Sequence, residues 1–283
     1  MRIKTRETKK DSKIKFLSTL CILLYLFIFT QILLYKIEIP IFLKTLSSIL
    51  FNIPALLTFI YLFFILKNKG YLPNTVDSSF LAQHLRYFKK FCNRCQMYRP
   101  ERSHHCSKCN RCIKKMDHHC IWLGVCINND NMGHFVRFIF FGFWSSFILF
   151  ATQMSFLLMN RDKNFYKKNV VLAVFIITTT LVTAITSIIT FLFFKTAFRN
   201  VMKNVTFLEK EKYVDYQMFT NNEVTNPYDR GVWKNIRDVL GDPRSLFLFG
   251  RDSDGIFFEK TYECDMWPPS CKEISRRREI QYL

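Results

Sequence analysis

Four stretches of the chain, residues 16–35, 45–66, 138–159 and 170–194, carry no charged side chain. About 20 apolar residues span a bilayer core as a helix, so each run predicts a transmembrane helix. Pro54 lies inside the second run, where a membrane helix tolerates it better than a soluble one does. The basic start followed by an apolar run also fits a cleaved leader. That reading gives way because the run is long and no small-x-small cleavage site follows in 36–42. Polar segments separate the helices: 1–15, a short link at 36–44, a long insert at 67–133, a second link at 160–169 and a tail from 195. Four crossings place both termini on one side of the membrane.

Charge selects the side. Of 41 Lys and Arg, residues 1–15 hold 7, residues 67–133 hold 12 and the tail holds 15, while the two opposite links hold Lys36, Lys44, Arg161, Lys163, Lys167 and Lys168. Basic residues concentrate on the cytosolic face, so both termini and the 67–133 insert are expected there. The net charge of +19 would suit nucleic acid in a soluble protein. Here it flanks membrane spans, and no nucleic-acid partner is expected. The Asn204-Val205-Thr206 sequon would lie on the side where glycosylation does not occur.

The insert contains the chemistry. Seven of ten Cys and four of six His fall between Cys92 and Cys126. The thiols come as Cys92-x2-Cys95 and Cys106-x2-Cys109-x2-Cys112, followed by His118, His119, Cys120 and Cys126. Zinc takes four tetrahedral ligands from Cys and His, and CxxC supplies two from one tight turn. Such pairs in a reducing compartment indicate metal rather than disulfides. Two zinc ions need eight ligands and eleven groups are available, so three remain over, and spacing does not say which. A Cys outside the metal shells in a basic neighbourhood is a candidate nucleophile. Asp117-His118-His119-Cys120 is the place to look, because an imidazole can take a thiol proton and a carboxylate can orient the imidazole. His118 and Cys120 could equally be further metal ligands.

These residues resemble the DHHC cysteine-rich domain of the protein S-acyltransferases (palmitoyltransferases). The resemblance rests on Arg99-Pro100-x-Arg102-x-x-His105-Cys106, then Asp117-His118-His119-Cys120-x-Trp122, then Cys126 and 131–135. Beyond the fourth helix, Asn204-x-Thr206-x-x-Glu209 is similar to the family's TTxE element, and Asn226-Pro227-Tyr228-Asp229-x-Gly231 with Asn235 to its C-terminal aromatic motif. Residues 1–15 and about 245–283 resemble nothing. The sequence departs from the family at Ile121, usually Pro, at Gly124 and Val125, usually two Asn, at Asn128, usually Gly, and at Phe207, usually Thr.

The resemblance implies an all-α membrane protein. It would comprise a basic cytosolic segment (1–15), two transmembrane helices (16–66), a cytosolic linker and zinc domain (67–133, core 92–133), two further helices (134–194) and a cytosolic tail (195–283). One structural zinc ion would be held by Cys92, Cys95, His105 and Cys112, and the other by Cys106, Cys109, His119 and Cys126. Cys120 would then be the nucleophile, His118 its base and Asp117 the group orienting His118. Palmitoyl-CoA would donate the acyl group, and partner proteins with accessible Cys would receive it, in the endoplasmic reticulum or Golgi membrane. Arg99 and Arg102 would meet the CoA phosphates, with Lys114 and Lys115 as further cations. Thr206, Glu209, Asn226 and Tyr228 would brace the site.

Rival classes fit less well. A RING-like ubiquitin ligase ends its ligands with CxxC, and a nucleic-acid finger needs His-x3–5-His; neither is present. A catalytically inactive, zinc-binding membrane scaffold is the remaining alternative. His84, His134, Cys21, Cys264 and Cys271 sit in no motif.

Overall fold

A computed structural model describes residues 9–36, 41–73, 78–159, 170–242, 254–264 and 267–269. The second expected link, part of the first and Cys271 lie outside them. The chain forms two compact units.

Leu17–Phe64 and His134–Ala197 make up the apolar unit. Its helices are α1 (Lys9–Lys36), α2 (Ile41–Lys67), α4 (Met132–Met159) and α5 (Val170–Met202). Among the described residues α2, α4 and α5 are long and apolar enough to cross a membrane, whereas the described apolar stretch of α1 is Ile14–Tyr25. This is a membrane protein. Ile53, Phe63, Val171 and Ile188 point outward, as lipid-facing positions do. Polar groups turn inward instead: Gln153 is fully buried, donates to Thr179 and accepts from Thr183. Paired side chains of this kind join helices in lipid. The unit also holds an apolar cavity, partly open to its surroundings, lined by Leu23, Phe27, Phe51, Ala55, Phe138 and Leu149, among others.

The second unit carries the polar chemistry. A short helix α3 (Ser78–Gln83) leads into six strands of three residues each. They form three antiparallel hairpins: β1 (Lys90–Cys92) with β2 (Met97–Arg99), β3 (His104–Cys106) with β4 (Arg111–Ile113), and β5 (His118–Cys120) with β6 (Val125–Ile127). Among the described residues two helices follow α5: α6 (Phe207–Thr220) and α7 (Val232–Leu240). Helix α6 starts where it does because Thr206 caps the Glu209 N–H while the Glu209 carboxylate returns to the Thr206 N–H, a capping box that satisfies two orphan donors.

Candidate active site and metal centres

The period of a β-strand distributes the ligands. Successive side chains on a strand point to opposite faces. On β3, His105 therefore faces one way with its cross-strand partner Cys112, and Cys106 faces the other. His105 and Cys112 meet Cys92 and Cys95 from the first hairpin. Cys106 and Cys109 meet His119 and Cys126, which are paired across the third hairpin. The middle hairpin thus feeds both clusters, and the order of ligands along the chain interleaves.

Each cluster can hold a metal ion. In each, the four ligand atoms lie within 4.8 Å of one another. Sulfur-to-nitrogen separations are 3.6 and 3.2 Å for Cys92 and Cys95 against His105 Nδ1. They are 3.5 Å for Cys106, Cys109 and Cys126 against His119 Nδ1. A tetrahedral zinc with its usual bond lengths sets S and N roughly 3.5 Å apart. The three-Cys, one-His donor sets and their spacing fit that ion.

The same alternation separates the remaining groups. With His119 turned to the metal cluster, His118 and Cys120 share the opposite face of β5. Cys120 is buried at 7% exposure and belongs to neither cluster. Asp117 Oδ2 lies 2.8 Å from His118 Nδ1. Its other oxygen accepts the Phe207 N–H at 2.8 Å. That N–H is in the first turn of α6, where unpaired donors and the helix dipole favour an anion. Burial opposes charge on His118, but hydrogen bonds to Asp117 and Cys120 outweigh it and raise the imidazole to about 9. Such a base holds a proton readily beside a thiolate. His104, which with Cys120 and His118 makes up the three groups left outside the clusters, is pushed down to about 3 by burial and by Lys212, Arg99 and Lys90.

One expected phosphate contact, Arg102, is placed otherwise. Arg102 is 4% exposed. Its Nε and Nη2 donate to the two oxygens of Glu209 at 2.7 and 2.8 Å, and Nη1 donates to Asn204 Oδ1 at 3.0 Å. The guanidinium stacks 4.0 Å from the Tyr228 ring. Its donors are committed to protein partners, because a planar fork matches a carboxylate as well as a phosphate. Arg99 donates Nη1 to the Ser103 carbonyl. Lys114 pairs with Asp130 at 3.0 Å, and Lys115 reaches Asn204.

The departures from the family pattern are absorbed locally. Gly124 takes the left-handed turn at φ 69 and closes it by donating to the Cys120 carbonyl. Asn128 bonds the Cys126 carbonyl through its side chain and lies where Gly70, at φ +60, leaves room; a Cβ on Gly70 would come within 2.2 Å of Asn128 Oδ1. At position 207 the backbone holds Asp117, so a Phe serves, and its ring stands edge-on to His118 at 6.3 Å.

Behind the site the motifs point to Thr206, Glu209 and Tyr228 but not to what joins them. The Asn204 amide accepts from both Arg102 and Lys115 and donates to the Tyr228 carbonyl. Tyr228 in turn donates to Glu101 at 2.6 Å, which Lys260 also meets. Phe258 lies 5.1 Å from the Arg102 guanidinium. Segment 254–264 had no periodicity to announce this packing, and Asn204, quoted both as a sequon and at the head of the TTxE-like element, was given no role of its own.

Two Cys/His clusters beside a buried cysteine, a histidine and an aspartate, in a membrane protein, define a class of metal-clustered membrane proteins. Residues 85–214 match the DHHC palmitoyltransferase family. That match covers 130 of the 283 residues, so the chain carries a region similar to the DHHC palmitoyltransferase domain. It is 30% identical over 203 residues to the palmitoyltransferase PFA4 of Yarrowia lipolytica, covering 64% of this chain and 58% of that one. It is 29% identical to the palmitoyltransferase PFA4 of Candida glabrata, covering 68% and 67%. Against the palmitoyltransferase ZDHHC20 of Bos taurus it is 33% identical, covering 60% and 46%. The chain thus spans about three fifths of the length of the Yarrowia relative.

Proposed function

We propose that the protein is a membrane-embedded protein S-palmitoyltransferase acting through Cys120. The carrying observation is that both metal clusters are complete without this sulfur, while His118 and Asp117 stand in hydrogen-bonded line beside it. In the first step the Cys120 thiolate attacks the thioester carbon of a long-chain acyl-CoA. The bond from that carbon to the CoA sulfur breaks, and the leaving thiolate takes the proton held on His118. In the second step a substrate-protein thiol gives its proton to His118, attacks the acyl-Cys120 thioester and frees the Cys120 thiolate. No electrons are gained or lost. Asp117 holds His118 in the tautomer and orientation both steps need.

Cys92, Cys95, His105 and Cys112 would hold one zinc ion and Cys106, Cys109, His119 and Cys126 a second, and the two ions would supply structural cross-links between the hairpins. The lining of the apolar cavity suits an acyl chain, whose methylenes each gain roughly 0.8 kcal/mol on leaving water. Arg99 and Lys114 remain the cations offered to CoA phosphates. In this reading α1 completes four crossings, both termini are cytosolic, and the division at 15, 66, 133 and 194 follows. The membrane is that of the endoplasmic reticulum or Golgi.

Purified protein given labelled palmitoyl-CoA is expected to acquire a hydroxylamine-sensitive label that Cys120→Ser lacks. Equal labelling of the variant would move the nucleophile elsewhere. No label on the parent would favour the inactive-scaffold alternative.

A further inference from the structure

Behind Asp117 lies an open polar cleft with about 410 Å³ of free space, lined by Lys115, Asp117, Asn128, Asn204, Thr206 and Asp238 among others. Lys115 occupies a costly position in it. Its ammonium donates to Asn204 Oδ1 at 3.0 Å, an oxygen that already accepts from the Arg102 guanidinium at the same distance. Two cations therefore share one neutral acceptor. Lys115, Arg102 and Asn204 all adopt left-handed backbone, at φ 36, 61 and 44. That conformation is uncommon away from glycine. Three such residues converging on one amide mark a juxtaposition that the surrounding structure enforces.

Charge balance does not require Lys115. Glu209 is already paired bidentately with Arg102. The other charged groups facing Lys115 are Asp117 on its own loop and Asp238 on α7, and Asp238 is bonded to Arg230. Burial, and after it Arg102, push the ammonium from 10.5 down to about 7, against the pull of Glu209, Asp238 and Asp117. A half-buried ammonium held beside a second cation on one neutral acceptor, at the edge of a cleft, is a candidate for a functional role.

The route from Lys115 to the reacting groups is short. Asn204 opens the turn that ends in Thr206 and the first residue of α6. The Arg102 guanidinium also holds the Asn204 carbonyl at 2.8 Å. The same turn presents the Phe207 N–H to Asp117 Oδ1, and Asp117 holds His118.

We propose that Lys115 is a positioning residue for acyl transfer, anchoring through Asn204 the turn that fixes Asp117 and hence His118. The inference rests on the S-acyltransferase reading. As an ammonium, Lys115 makes a charge-assisted bond to Asn204; as a neutral amine it makes a weaker one. Activity therefore depends on its proton, while stability does so in the opposite sense. The folded state disfavours the charged form, so stability rises with pH between about 7 and 10.5.

The test compares parent, Lys115→Met and Lys115→Arg in full-length, zinc-loaded protein, using the rate of Cys120-dependent labelling by palmitoyl-CoA across pH. Lys115→Met is expected to label about tenfold more slowly near pH 6, the size of one charge-assisted hydrogen bond. It should unfold no earlier than the parent. Lys115→Arg, which stays charged, should restore most of the rate. The parent-to-arginine rate ratio should fall with a midpoint near 7. A Lys115→Met profile that overlays the parent would overturn the proposal. So would loss of bound zinc from that variant, which would make Lys115 structural. Equal labelling of Cys120→Ser and parent would instead sink the acyltransferase reading itself.

Discussion

The three hairpins and the segment that packs behind them solve the same problem by different physics. The hairpins have strands of three residues, and much of what they bury is cysteine: Cys92, Cys106, Cys112 and Cys126 are all at 7% exposure or less. So small a core cannot hold itself, and metal binding becomes folding energy. The region from Asn204 to Leu240 contains no metal cluster among the described residues. Its centre is one buried ion pair, Arg102 with Glu209, capped by the Tyr228 ring. The first device is written in local spacing. The second joins residues more than 100 positions apart. Asp117 sits at the seam, since its loop belongs to the first region and its Phe207 donor to the second.

The comparison is broken most severely by removing a metal ligand. Cys109→Ser should lower the metal content from two ions per chain towards one and abolish acylation, since structural zinc contributes on the order of 10 kcal/mol. Retention of two ions, measured by metal analysis, would contradict the ligand scheme.

Glu209→Ala attacks the other device. It leaves Arg102 buried without its carboxylate and should destabilise by about 3–5 kcal/mol while both metal ions stay bound, as denaturant unfolding and metal analysis would read. The pair also gives a pH signature. Burial pushes the Glu209 carboxyl up, but Arg102 beside it and the bonds it accepts hold it below its ordinary 4.5. The contribution is full above that pH and is lost as the pH falls through the lowered value. Glu209→Ala should therefore flatten the acid limb of the stability curve; an unchanged limb would remove the pair from its cause.

Smaller changes sharpen the contrast. Thr206→Ala removes one half of the capping box and should cost about 1 kcal/mol. Phe207→Thr should change stability by less than about 1 kcal/mol, because the bond to Asp117 comes from the backbone. A large loss of acylation in Phe207→Thr would assign the ring itself a role at His118.

The residues differ in how far they could be read in advance. Cys92, Cys95, Cys106, Cys109 and Cys112 announce themselves because a CxxC turn brings two thiolates together within a few residues. Arg102 could not be placed that way. A guanidinium binds phosphate and carboxylate with the same geometry, and only the return of α6 supplies the carboxylate. Asn128 departs from the family pattern, and it is Gly70, far away in sequence, that leaves space for it.

The sequence alone determined the apolar segments and the presence of metal-binding thiols, because hydropathy and ligand spacing are local properties. Which sulfur stays outside the clusters depended on strand alternation within paired hairpins. What Arg102, Lys115 and Phe258 touch was decided only by tertiary structure. Their partners are contributed by elements brought together through folding, and a side chain's chemistry does not specify which acceptor it will find.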